Sequence, residues 1–319
     1  MSMTLDTLKS FKGISYALIS SGTFGLIPLF SIPLLGEGMS QASVLFYRFL
    51  ISAILMGSIC LLRKKDFRID RKHMLPVVVL SLFYASTSLL LLFSYSYIPS
   101  GISTTIHFLY PILVSIIMVA FFKEKKSTIL FLAAALSVIG VLVLCWTDAA
   151  NVKFAGVLIA AATIITYSTY IVGLNQTSAS KIDAEVLTFY VLFLGACLFF
   201  IFALATTGIG TIPSFPAFGR LFLLALLPTV VSDLTLILAV KNIGSTVTSI
   251  LGSMEPVVAV LVGVFYFSEH FDIVSLAGIT LIITSVIMVV VRSSKKKELE
   301  PIPQLVKHHN TDERHKHDF

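Results

Sequence analysis

Residues 100–124 read SGISTTIHFLYPILVSIIMVAFFKE, and residues 245–269 read STVTSILGSMEPVVAVLVGVFYFSE. Laid over one another at an offset of 145, they match Ser100 with Ser245, Pro111 with Pro256, Phe122 with Phe267 and Glu124 with Glu269. The correspondence runs over 80–126 and 225–271 and also pairs Ile98 with Ile243. Each copy reads as an apolar helix carrying one mid-span proline and ending in aromatics and an acidic residue. An odd number of apolar spans separates the copies, so the second is expected upside down relative to the first. Inverted repeats of this kind build secondary transporters, whose sites lie near the midplane between the halves.

The composition agrees. More than half of the 319 residues are hydrophobic and 13% are charged, with a mean hydropathy of +0.95. Soluble domains carry about 25% charged residues; polar surface this scarce cannot cover a globule. At about 20 residues per span, the apolar stretches resolve into ten, near 13–33, 42–62, 74–96, 101–122, 128–147, 154–174, 184–207, 219–240, 245–267 and 273–291. The expected fold is all-α and integral to the membrane, with ten transmembrane helices in two inverted five-helix repeats. Its units are residues 1–150, residues 151–297 and a polar, disordered cytoplasmic tail over 298–319. The first span reads as a membrane segment, since no small-residue cleavage site follows it.

Charge sets the orientation. With the N-terminus inside, seventeen Lys and Arg before the tail fall on the cytoplasmic side, against Lys153 and Arg220 outside. Such a bias follows the positive-inside rule and places both termini in the cytoplasm of a cell (inner) membrane protein. The net charge of +6 therefore reflects topology and anionic headgroups rather than nucleic acid, for which a basic stripe with interleaved aromatics is lacking. Cys60, Cys145 and Cys197 all lie inside spans, so no disulfide framework is expected. The histidines of the tail lack ligand spacing, and neither metal nor cofactor is expected.

A charged side chain at mid-membrane costs about 2.5–3.5 kcal/mol, so Arg48, His107, Asp233 and Glu255 each require a reason. Glu255 stands beside Pro256, which frees the carbonyl of Gly252 and kinks the helix, as Pro111 does in the first copy. A carboxylate beside a broken helix can line a wet cavity and meet a cationic solute, a coupling proton or Arg48; its bland reading is a protonated acid bonded to a hydroxyl. Ser100, Ser103, His107 and Tyr110 stand at steps of 0, 3, 7 and 10, and Ser245, Thr248, Gly252 and Glu255 repeat them. Each set is one helical face. A substrate pathway and tight small-residue packing both account for the serines; packing does not account for Glu255, His107 or Tyr110. Asp233 pairs with a cation or bonds a hydroxyl. Arg48 either snorkels to the interface, pairs with a carboxylate or contacts an anionic solute group. Glu124 and Glu269 are expected to brace the turns that follow their helices.

At these residues the chain resembles EamA-type members of the drug/metabolite transporter superfamily. The resemblance rests on Tyr110-Pro111-Ile112 with Phe121-Phe122-Lys123-Glu124, and on Glu255-Pro256-Val257 with Tyr266-Phe267-Ser268-Glu269. Gly22-Thr23-Phe24-Gly25 and Phe46-Tyr47-Arg48-Phe49 add to it, and it covers about residues 13–292. It implies a central cavity between the halves, alternating access, and export of a metabolite, amino acid or drug-like solute, with protons as a coupling ion left open. A homodimer is one open arrangement. The rival readings are a flippase for lipid-linked intermediates and a membrane-embedded enzyme. The enzyme lacks a nucleophile elbow, a paired zinc-ligand motif and a Walker loop.

Overall fold

The computed structural model describes residues 2–98, 100–125, 127–144, 153–266 and 273–298. All regular structure among them is helical. In chain order the helices are α1 (Ser2–Phe24), α2 (Ile27–Gly36), α3 (Gln41–Leu62), α4 (Arg71–Ser94), α5 (Ser100–His107), α6 (Tyr110–Phe121) and α7 (Thr128–Leu144). There follow α8 (Phe154–Gln176), α9 (Ala184–Ala205), α10 (Phe215–Ala225), α11 (Ser232–Ile243), α12 (Ser245–Leu251), α13 (Met254–Tyr266) and α14 (Ile273–Glu298). Six helical stretches are long and apolar enough to cross a membrane, and three shorter apolar helices lie at Tyr110–Phe121, Thr128–Val143 and Leu276–Val289. The outer surface is correspondingly greasy: Leu62, Phe215 and Phe265 are each more than 80% exposed. Residues 145–152, which hold Cys145 and the expected boundary at 150, lie outside the described residues, as do Glu269 and the tail beyond Glu298.

Helix ends follow local chemistry. Ser40 caps α3 by accepting from the Ser43 amide at 3.2 Å, Asp183 caps α9 through the Glu185 amide at 2.9 Å, and Ser214 caps α10 ahead of Pro216. These side chains satisfy amides that a helix leaves without partners.

The packing carries the repeat. Helix α3 packs along α9, α7 along α14, α1 along α11, and α4 along α8. A shift of 145 carries α4 onto the α10–α11 stretch and α1 onto α8, so the α1–α11 and α4–α8 pairs exchange. Contacts within a residue or two of corresponding positions follow the same exchange. Ser20 Oγ donates to the Ser232 carbonyl at 2.8 Å, while Thr87, the counterpart of Ser232, donates to Thr166 Oγ1 at 2.7 Å. A Cβ on Gly13 would stand 2.5 Å from Ile243, and one on Gly156 would stand 2.7 Å from Ile98, the counterpart of Ile243. Lipid tails give no hydrophobic drive to helix association, so close backbone approach and interhelical hydroxyl bonds hold such bundles together.

Two local expectations need correction, and one of the alternatives open for Arg48 is removed. The stretches 101–122 and 245–267 are each two helices rather than one kinked helix. α5 ends at His107 and α6 begins at Tyr110, just before Pro111; α12 ends at Leu251 and α13 begins at Met254, two residues before Pro256. The missing proline N–H lets the preceding turn close as a tight one, and the Gly252 carbonyl accepts from the Glu255 amide at 3.1 Å. The stretch 219–240 is also interrupted, by a π-helical segment at Leu226–Val231 around Pro228. Finally, Arg48 does not snorkel: it is 4% exposed, inside the bundle.

Candidate functional site

Arg48 projects from α3 into the π-helical break between α10 and α11. Pro228 cannot donate to the carbonyl of Leu224, and Thr229 Oγ1 takes that carbonyl at 2.8 Å. Arg48 Nε donates in turn to Thr229 Oγ1 at 2.7 Å, and its Nη2 to the Pro228 carbonyl at 3.4 Å. One turn along α3, Ser52 Oγ donates to the Ala225 carbonyl at 3.0 Å. Wherever a membrane helix breaks, neighbouring donors must satisfy the freed backbone, and π-segments recur at functional sites. Among the described residues Arg48 makes no ion pair within 4.0 Å, although it lies within electrostatic reach of Asp233.

Beside this guanidinium lies a cavity of about 20 Å³, with Arg48, Tyr84, Thr87, Ser88, Tyr95 and Tyr167 among its walls. That is room for about one water. Phe24 and Ile27 form the wall on the side of α1 and α2, and no carboxylate among the described residues lines the space. The Tyr84 hydroxyl is buried and without a hydrogen-bond partner among the described residues.

The polar faces of α5–α6 and α12–α13 meet one layer further in. The Tyr110 hydroxyl sits where a Cβ on Gly252 would stand, so only glycine admits that ring. Tyr110 is the counterpart of Glu255, and Gly252 that of His107. His107 Nδ1 bonds Thr163 Oγ1 at 2.9 Å, while its Nε2 is buried and unpartnered among the described residues. Its ring lies 5.1 Å from Tyr167 and 5.3 Å from Tyr110. Helix α8 touches both faces: Ser168 Oγ donates to the Tyr110 carbonyl at 3.2 Å, and Ser245 Oγ donates to the Ile171 carbonyl at 2.9 Å. On the other flank Gly25 lies against the Glu255 carbonyl.

Tyrosines connect this layer to the Arg48 cavity. Ring centroids step from Tyr110 to Tyr167 at 4.8 Å, Tyr167 to Tyr170 at 6.2 Å, and Tyr170 to Tyr84 at 4.9 Å. Tyr170 donates to Asp233 Oδ1 at 2.7 Å, leaving Oδ2 buried without a partner among the described residues. Glu255 is 8% exposed and within electrostatic reach of Tyr84, Tyr95, Tyr110 and Tyr167. Glu255 and Arg48 make no ion pair.

Of the remaining residues singled out in the sequence, Ser103 bonds Ser94 within the first half. Thr248 is buried, its hydroxyl unpartnered among the described residues. Glu124 Oε2 accepts from Thr246 at 2.6 Å, tying the end of α6 to the start of α12. Asp233, His107, Tyr110 and Glu255 are thus gathered into one buried layer, but the cavity is walled by α1–α4, α8 and α10 instead. Sequence reading missed Ser52, Tyr95 and Thr229; Pro228 in mid-span was the available signal for the last.

At the basic end, ion pairs join the α3–α4 loop to α9. Arg63 pairs with Glu185, and Lys65 Nζ lies 2.8 Å from Asp183 and 3.4 Å from Glu185. Partial burial pushes the Asp183 carboxyl up. The bond from Lys65 and the amides of Glu185 and Val186 outweigh it and hold the group below the usual carboxylate value.

The model of the EamA-like transporter family matches residues 11–146 and again 154–291, two copies on the two halves of the repeat. The chain belongs to the EamA-like transporter family. It is accordingly a multi-pass membrane transporter of the drug/metabolite superfamily. A solved structure described as "Crystal structure of protein" superposes on this EamA-like chain with a TM-score of 0.75. The alignment covers 92% of this chain and 99% of that one at 16% identity, and so speaks for the fold alone. No curated protein matches the chain.

Proposed function

We propose that this EamA-like transporter is a secondary carrier that moves a small organic solute out of the cell by alternating access. In this reading ten membrane-crossing segments form two inverted halves, residues 1–150 and 151–297, and both termini are cytoplasmic. The broken pairs α5–α6 and α12–α13 serve as the fourth and ninth segments. The observation that carries the reading is the meeting of Tyr110 with Gly252, which joins the polar faces of the two copies across the interface between halves. Contacts on both ends of the bundle then open in turn. Glu124 with Thr246 and Lys65 with Asp183 close the basic end; Arg220 with Glu37, and Tyr47 with the Gly210 carbonyl at 3.0 Å, close the other.

Glu255 is the residue proposed to carry the coupling proton or a cationic solute group, with His107 and Tyr110 as its polar neighbours. The reading is tested by comparing solutes retained by cells with and without the protein, then by flux of the retained solute in proteoliposomes with and without a pH gradient. Glu255→Gln is expected to insert normally and to lose transport or its response to the gradient; wild-type flux from this variant removes Glu255 from the mechanism. The flippase alternative needs a site open sideways to lipid. A groove of about 310 Å³ does open between α6 and α7 near Ser115 and Phe131, but it shares no wall with the Arg48 cavity, and the solute carrier is preferred.

A further inference from the structure

We propose that the cavity beside Arg48 receives an organic anion, a small carboxylate with an apolar or aromatic body, and that the solute is the counterion of Arg48. The inference deepens the carrier reading and rests on it. Arg48 is the only charged wall of the cavity among the described residues. A guanidinium cannot shed its proton, and one buried without an ion pair is held at a standing electrostatic cost. Its Nε and Nη2 are occupied by the broken helix, which fixes the plane of the group. Nη1 makes no hydrogen bond among the described residues, so a donor edge of a rigid fork is presented to the cavity.

The remaining walls fit the same ligand. Tyr84, whose hydroxyl is buried without a partner among the described residues, lines the cavity together with Ser88, and these hydroxyls suit the second carboxylate oxygen. Phe24 and Tyr167, stacked at 6.4 Å, and aliphatic walls such as Leu91 and Leu224 suit an apolar body. An ammonium group would meet no carboxylate here: Asp233 is turned to Tyr170, and Glu255 does not line the cavity. At about 20 Å³ the cavity must widen to admit solute.

The test uses the full-length chain in detergent, with binding measured for phenylacetate and isovalerate, for their amides, and for phenethylamine and isoamylamine. The carboxylates are expected to bind and the amines not. Arg48→Gln is expected to lower the preference for carboxylate over amide by at least about tenfold, because a buried charge has lost its partner. Ser58→Ala, on the exposed face of α3 and away from the cavity, should leave that preference within about twofold. A merely structural arginine would lower binding of acid and amide alike. The proposal falls if no carboxylate binds, if amines bind as well as acids, or if Arg48→Gln keeps the preference. Amine flux in proteoliposomes would sink the anion while sparing the carrier; absence of any solute flux would sink the carrier.

Discussion

Helix α4 and the α10–α11 stretch occupy corresponding places in the two copies, yet one is α-helical throughout and the other passes through a π-helical segment. Phe83 stands where the second copy has Pro228, and Tyr84 where it has Thr229. In the second copy the break is tolerated because Thr229, Ser52 and Arg48 gather the freed backbone groups. In the first copy the position of Thr229 is given over to a tyrosine that walls the cavity. The two similar scaffolds thus put a π-helical segment beside the cavity in one copy and an unbroken α-helix in the other.

Moving the break is the severest way to challenge this contrast. Phe83→Pro is expected to destabilise the protein by about 3 kcal/mol or more, since it removes the bond to the Val79 carbonyl and its ring clashes there. Thermal unfolding in detergent checks it, and a neutral outcome would mean that the break needs no support from Arg48. Thr229→Val should cost about 1.5–3 kcal/mol, the worth of a buried bond to a charged donor, whereas Thr87→Val, whose hydroxyl meets only the neutral Thr166 hydroxyl and Phe83 carbonyl, should cost about 0.5–1.5 kcal/mol. Equal losses would erase the difference between the two copies.

The junction of the polar faces gives a sharper measurement. Gly252→Ala should cost about 1–3 kcal/mol by overpacking against the Tyr110 hydroxyl, and Tyr110→Phe should restore part of it, leaving a favourable coupling in a double-mutant cycle. Additive losses would separate the two faces. The smallest effect lies at the basic end. The Asp183 carboxyl is held low by folding, so its contribution is complete above its unfolded value, near pH 4, and is lost as pH falls through the folded one. The pair is partly exposed, and at most about 1 kcal/mol is expected. Asp183→Asn should remove that acid-side loss from the stability profile.

Much of the architecture was legible because membrane burial is written in composition. The repeat, the apolar runs and the buried residues Arg48, His107, Asp233 and Glu255 could all be found in one dimension. The helix breaks were displaced from the prolines, because a missing N–H perturbs the turn before it rather than the proline itself. The partner of Arg48 was hidden, since Thr229 lies 181 positions away. The cavity walls were hidden for the same reason: helical spacing says which residues share a face, not which neighbour that face meets.

By itself, then, the order of residues specified a duplicated, lipid-embedded helical chain and named the costly side chains that need an internal reason to exist. Tertiary packing alone chose their company: Arg48 with the broken helix and the cavity, Asp233 with Tyr170, and Tyr110 over Gly252. The physical reason is that hydrophobicity and propensity are local and sum along the chain. Hydrogen bonds between distant helices depend instead on rotations and crossing positions that no single segment encodes.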